Sequence, residues 1–189
     1  MTEAKIPAKK VHGEMLVGIS AVVIGVCALA VSLYETSLMR EEQRAAVMPL
    51  LELSRSYNLS EAEGKSRLYL QAQNVGIGPA KVVDFKVTVD GQAQPTWDAA
   101  IRALTGTGER VSYGQSTING RTIPADRMVT MMNLNSTEQI DEIMEEFERL
   151  DFEACYCSIF DECWTTSFSA FGAATEVQAC TRSDDSFSE

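Results

Sequence analysis

The 189 residues, 45% hydrophobic and 23% charged, have a globular composition with room for one ordinary domain and an appendage. The net charge of -11 is lodged beyond residue 34, where 13 Lys and Arg stand against 25 Asp and Glu. Such an acidic body argues against nucleic acid, whose phosphates it would repel, and against a polybasic grip on anionic lipid.

Residues 1–13 read as a short disordered cytoplasmic tail carrying Lys5, Lys9 and Lys10. "MLVGISAVVIGVCALAVSLY", residues 15–34, follows without a charge, bounded by Glu14 and Glu35. A helix rising 1.5 Å per residue crosses a hydrocarbon core of roughly 30 Å in about that length. A buried soluble helix would carry a polar face, which this run lacks. A cleaved signal peptide is the competing reading, because Ala28-Leu29-Ala30 looks like a cleavage site. The apolar run continues past it through Val31 and Leu33 to Tyr34, an interfacial aromatic, and Val26 before Cys27 does not suit a lipoprotein site. The lysines before the span favour a cytoplasmic N-terminus, since Arg40 and Arg44 are interleaved with Glu41 and Glu42. The segment is thus expected to anchor the chain in a membrane, with the remainder outside the cytoplasm.

Within the span, Gly18, Ala21, Gly25, Ala28 and Ser32 are spaced 3, 4, 3, 4 and line one side of a helix. Small side chains let a second helix approach closely, so the seam suits a second copy or another membrane protein; they are also ordinary in membrane helices. "ETSLMREEQRAAV" continues the helix, giving 14–48 as span and extension, and Pro49 ends it.

The exported domain is expected over 49–180. "PLLELSRSY" can supply a first strand, with Leu51 and Leu53 on one face. In "LYLQAQNVGIGPAKVVDFKVTVDG", residues 68–91, Leu68, Leu70 and Ala72 alternate with polar residues, as do Val83, Phe85, Val87 and Val89. Period two is the mark of half-buried strands, and Asp90-Gly91 supplies a tight turn. Between the strands, Asn74 and Gly76 can take positive φ, Gly78 leaves room for close backbone approach, and Pro79 withholds a donor. Such a corner can carry the chain from one sheet to another.

The N-x-G-x-G-P-A motif at 74–80 resembles the strand connections of immunoglobulin-like β-sandwich domains in bacterial surface and adhesion-related proteins. The whole chain also resembles bacterial single-pass membrane proteins with a short inside tail and a β-rich exported domain. The resemblance implies a mainly-β sandwich with one or two added helices, anchored in the inner membrane of a bacterium with the domain periplasmic. Its glycines are structural and imply no activity.

"WDAAIRALTG" reads as a short helix closed by Gly106, and "TINGRTIPADRMVTMMNL" as a hairpin around Asn119-Gly120 followed by a strand. "STEQIDEIMEEFERL" reads as a helix with a Ser136–Gln139 capping box, an apolar stripe from Ile140 to Leu150 and an acidic face that is ordinarily just solvated. "DFEACYCSIFDECWTTSF" reads as two strands around Asp161-Glu162, and 181–189 as a disordered acidic tail.

Cys155, Cys157, Cys163 and Cys180 form an even set, as two disulfides in an exported domain would require. Their spacing suits zinc poorly, and the only His is His12. Three pairings are open. One of them clamps the proposed hairpin through Cys157 and Cys163 and leaves Cys155 for Cys180. The lack of His beyond residue 12 removes His-based triads and bases from the exported part, and neither a phosphate-binding nor a dinucleotide motif is present. No catalytic residue, cofactor or metal is nominated. The expected function is a membrane-anchored interaction or accessory protein. The alternative is a small-ligand or cell-wall glycan module, with Trp97 or Trp164 stacking on the ligand. An acid–base hydrolase is a more distant reading, and 25 acidic residues name no pair for it.

Overall fold

The uncharged run does form a helix. The computed structural model describes residues 9–60, 65–107, 111–135 and 137–188, in two units that divide after Ala45. The first holds α1 (Lys9–Ala45). Within it, Met15–Ala45 is long and apolar enough to cross a membrane, and none of it is buried inside the protein. Ser20, Thr36 and Ser37 turn their hydroxyls onto its own backbone, as where Ser20 Oγ donates to the Val17 carbonyl at 2.9 Å. Residues 9–13, expected in the tail, are helical, and residues 1–8 lie outside the described residues.

The helix stops at Ala45, short of the expected residue 48. In the second unit the Met48 carbonyl accepts from Ile77 N at 3.1 Å and Gly78 N at 3.3 Å. Those bonds fix residue 48 in the segment that leads into β1.

The second unit is mainly β. Its first sheet runs β1-β2-β7-β5, from β1 (Leu51–Ser60), β2 (Lys65–Asn74), β5 (Tyr113–Gln115) and β7 (Arg127–Leu134). The second runs β10-β9-β8-β3-β4, from β3 (Ala80–Val89), β4 (Gln92–Gln94), β8 (Leu150–Cys157), β9 (Cys163–Ser167) and β10 (Thr175–Val177). β6 (Thr122–Ile123) pairs with the start of β3. Every pairing between described strands is antiparallel. Leu51, Leu68, Leu70 and Leu134 of the first sheet and Val82, Phe85, Val87 and Phe152 of the second belong to one apolar core.

Period two holds along β2, but β3 carries a register shift between Val82 and Asp84. The irregularity changes the phase, so Val82 enters the core in place of the expected Val83 and Asp84 is buried. α2 (Trp97–Thr105) has the expected stop: Gly106 is left-handed, φ 67°, and its N–H reaches the Arg102 carbonyl. Thr96 caps its start by accepting from Ala99 N. Asp90-Gly91 forms the turn between β3 and β4, both residues at positive φ.

Three further expectations change. Asn119-Gly120 is a turn, but its flanks do not pair as a hairpin, because β5 bonds to β7 and β6 to β3. The expected 137–150 helix divides into α3 (Thr137–Glu145), a 3₁₀ turn at Phe147–Arg149 and the start of β8; Ser136 of the proposed capping box lies outside the described residues. The tail is not disordered through residue 188. Phe187 is 2% exposed, its ring 5.6 Å from Phe85 and 4.9 Å from Trp97, and its N–H donates to the Phe85 carbonyl. One aromatic among acidic and small polar residues finds an apolar slot that average composition conceals.

Candidate functional site

The corner at 74–79 carries the chain from β2 in one sheet to β3 in the other, and it does more than turn. Asn74 is 0% exposed and uses its whole amide. Its Oδ1 accepts from Leu50 N at 3.2 Å and Gly76 N at 3.1 Å; its Nδ2 donates to the carbonyls of Gly78 at 2.8 Å and Ile123 at 3.0 Å. One side chain thus ties the segment entering the domain, the corner and β6 together. Neither glycine has positive φ, contrary to the expectation for Gly76, and Asn74 does not either. Both glycines serve close approach. A Cβ on Gly76 would run into Leu50 N and the Met48 carbonyl, and one on Gly78 into the Val47 carbonyl. Pro79 is half-buried behind them.

The cysteines pair as Cys155–Cys180, Cα atoms 5.6 Å apart, and Cys157–Cys163, Cα atoms 4.0 Å apart. Cys157 and Cys163 are cross-strand neighbours in β8 and β9, so their bridge closes that hairpin. Sγ atoms of Cys157, Cys163 and Cys180 lie within 4.8 Å of one another, a metal-like spacing, but all are consumed in disulfides. Cys27 on α1 is a free, exposed thiol.

The seam residues Gly18, Ala21, Gly25, Ala28 and Ser32 are all exposed along α1. A Cβ on Gly18 or Gly25 meets nothing within 4 Å.

The two tryptophans do not stand ready for a ligand. Trp97 is 2% exposed and Trp164 is 8% exposed. Sequence reasoning instead missed two concavities. A pocket of 470 Å³ is lined by Arg67, Tyr69, Asn133 and Asn135. Tyr69 reaches it because residues 67 and 69 of β2 point away from the core face of Leu68 and Leu70. Alternation could have nominated Tyr69, although the neighbouring Asn133 comes from β7 and required the register. A smaller cleft of 250 Å³ is lined by Ile118, Arg121, Ile123, Pro124, Arg127 and Met128, among others.

Away from the corner, Arg149 bonds Asp90 at 2.6 Å and Glu146 at 3.0 Å. The Arg149 guanidinium holds the Asp90 carboxyl below its ordinary range, chiefly by hydrogen bonding. Burial pushes the Tyr156 phenol up; the Leu51 backbone opposes this in part, without reaching good hydrogen-bond geometry. On the acidic helix, the Tyr57 hydroxyl donates to the Asp141 carboxylate at 3.3 Å.

Compared with protein-family models and with curated proteins, the chain matches none.

Proposed function

We propose that this is a single-pass inner-membrane protein, N-terminus in the cytoplasm, whose exported β domain is an immunoglobulin-like sandwich serving as an interaction or accessory module. The observation that carries the reading is α1 itself. Its apolar surface from Met15 to Tyr34 is exposed all round, and its seam of small residues has open space beside it. Lipid and a partner helix are the surroundings that suit such a surface. Strand order supports the sandwich assignment: β1-β2-β7-β5 beside β9-β8-β3-β4 follows the A-B-E-D and G-F-C-C′ arrangement of immunoglobulin domains. The two disulfides support an oxidising compartment. The test is purification of the full chain in mild detergent, with intact-complex mass and identification of co-purifying proteins. A stoichiometric membrane partner or a defined oligomer is the expected result, and Gly25→Leu should weaken it. A lone monomer would count decisively against the accessory role.

The pocket beside Tyr69 favours a second reading, a small-ligand or glycan module. Aromatic, guanidinium and amide groups together suit a polar ligand with stacking faces. Calorimetric titration with cell-wall oligosaccharides, repeated on Tyr69→Ala, decides it. Heat that disappears in the variant supports binding there; no heat from a broad panel removes the reading.

A further inference from the structure

The two disulfides share one face of the second sheet. Register sets Cys157 opposite Cys163, and sets Asp84 of β3 opposite Cys155. Residues opposite one another point to the same side, as do residues two apart on a strand. Asp84, Cys155, Cys157 and Cys163 therefore leave the sheet away from the core of Phe85, Phe152 and Ala154. The bridges differ in access. Cys155 and Cys180 are half-buried, whereas Cys157 is 6% and Cys163 4% exposed. They are also close. Cys180 Sγ lies within 4.8 Å of both sulfurs of the inner bridge, a group to which Cys155 does not belong.

We propose that the two bridges work as one thiol–disulfide relay: an external dithiol reacts at Cys155–Cys180, and Cys180 passes the exchange inward to Cys157–Cys163. The relay goes beyond the membrane and partner readings above and depends on neither. In the first step a thiolate of the dithiol bonds to Cys155 Sγ, and the Cys155–Cys180 electron pair leaves on Cys180. The Cys180 thiolate then bonds to Cys163 Sγ, and Cys157 leaves as a thiolate that takes a proton from water. Attack on Cys157 instead frees Cys163. Finally the second thiol of the dithiol displaces Cys155. The dithiol has become a disulfide, losing two electrons and two protons, and the protein has gained two thiols. Burial keeps external thiols off the inner bridge, so Cys180 is its route of entry. The S–H formed on Cys155 finds an acceptor in place. Asp84 is 5% exposed, its Oδ1 has no hydrogen-bond partner among the described residues, and Lys86 Nζ stands 3.8 Å from its Oδ2. A buried acceptor without a donor is costly, so supplying one favours the opened bridge.

The experiment uses the full chain in mild detergent, below its melting temperature, with limiting dithiothreitol as the dithiol, then acid quenching and alkylation. Cleavage after Glu162 and Glu176 puts Cys163 and Cys180 on separate peptides, so a bridge between them, absent from the starting pairing, is read by mass. Cleavage after Tyr156 separates Cys155 from Cys157. In chains that keep one bridge, Cys163–Cys180 or Cys157–Cys180 is expected beside Cys157–Cys163. A second arm uses Cys155→Ser without reductant. Alkylation of Cys180 should fall by about half, the missing part being bridged to Cys163 or Cys157. Only the starting bridges in partly reduced wild type, or a fully alkylated Cys180 in a folded variant, overturns the relay. So does opening of Cys157–Cys163 before Cys155–Cys180. Cys155–Cys163 bridges as abundant as Cys163–Cys180 ones, the pattern of scrambling in an unfolded chain, overturn it too. If Cys155→Ser does not fold, the wild-type arm decides alone.

Discussion

At Gly18 and Gly25 of α1 an added side chain meets open space, whereas at Gly76 and Gly78 of the β body it meets the backbone of residues 47–50. Cysteine divides the same way, with Cys27 free on the helix and the other four paired in the body. The body uses Gly76, Gly78 and its four cysteines in its own packing and cross-links. No described residue crowds Gly18 or Gly25 of the helix, so a cost of enlarging them would have to come from outside the chain.

The contrast can be broken at the corner, where the largest effect is expected. Gly78→Ala drives a methyl into the Val47 carbonyl, and with backbone on both sides there is no flexible end to yield. A loss on the order of 4 kcal/mol should follow, read as a fall in the thermal midpoint of the full chain in mild detergent. A melt unchanged from wild type would mean that the close approach is dispensable. Asn74→Ala comes next. It strips partners from Leu50 N, Gly76 N and two carbonyls, and should cost about 2–4 kcal/mol in urea titrations.

The disulfides sharpen the contrast by loop length. Removing Cys155–Cys180, which closes a separation of 25 residues, should cost about 3.5 kcal/mol by chain entropy. Removing Cys157–Cys163, with a separation of 6, should cost about 2 kcal/mol, and the order of the two paired Cys→Ser variants is the check. Gly25→Leu stands at the other extreme. The melt of the body should move by less than about 0.5 kcal/mol, because a Cβ at Gly25 meets nothing within 4 Å among the described residues. A large shift would show that the helix supports the body directly.

Much of this was legible where a signal is local. The uncharged run, the alternation of Leu68, Leu70 and Ala72, the Asp90-Gly91 turn and the Gly106 helix stop each need only neighbouring residues. Other features depended on contacts distant in sequence. Asn74, Gly76 and Gly78 read as turn residues, but their use depends on Leu50 and Ile123 arriving beside them. The partners of β5 and β6 are likewise set by β7 and β3, not by the turn that joins them. Val82 displaced Val83 through a register shift that alternation alone cannot place. For the candidate site, composition named tryptophans that the core absorbed, while the Tyr69 pocket needed two strands in register.

The burial of Phe187 sets an order of events during synthesis. Phe85 and Trp97 emerge early, yet the aromatic that completes their packing is Phe187. Until residue 187 has left the ribosome, the slot beside β3 stands open. Packing around Phe85 and Trp97 is therefore completed only after every described strand has been made, β10 included.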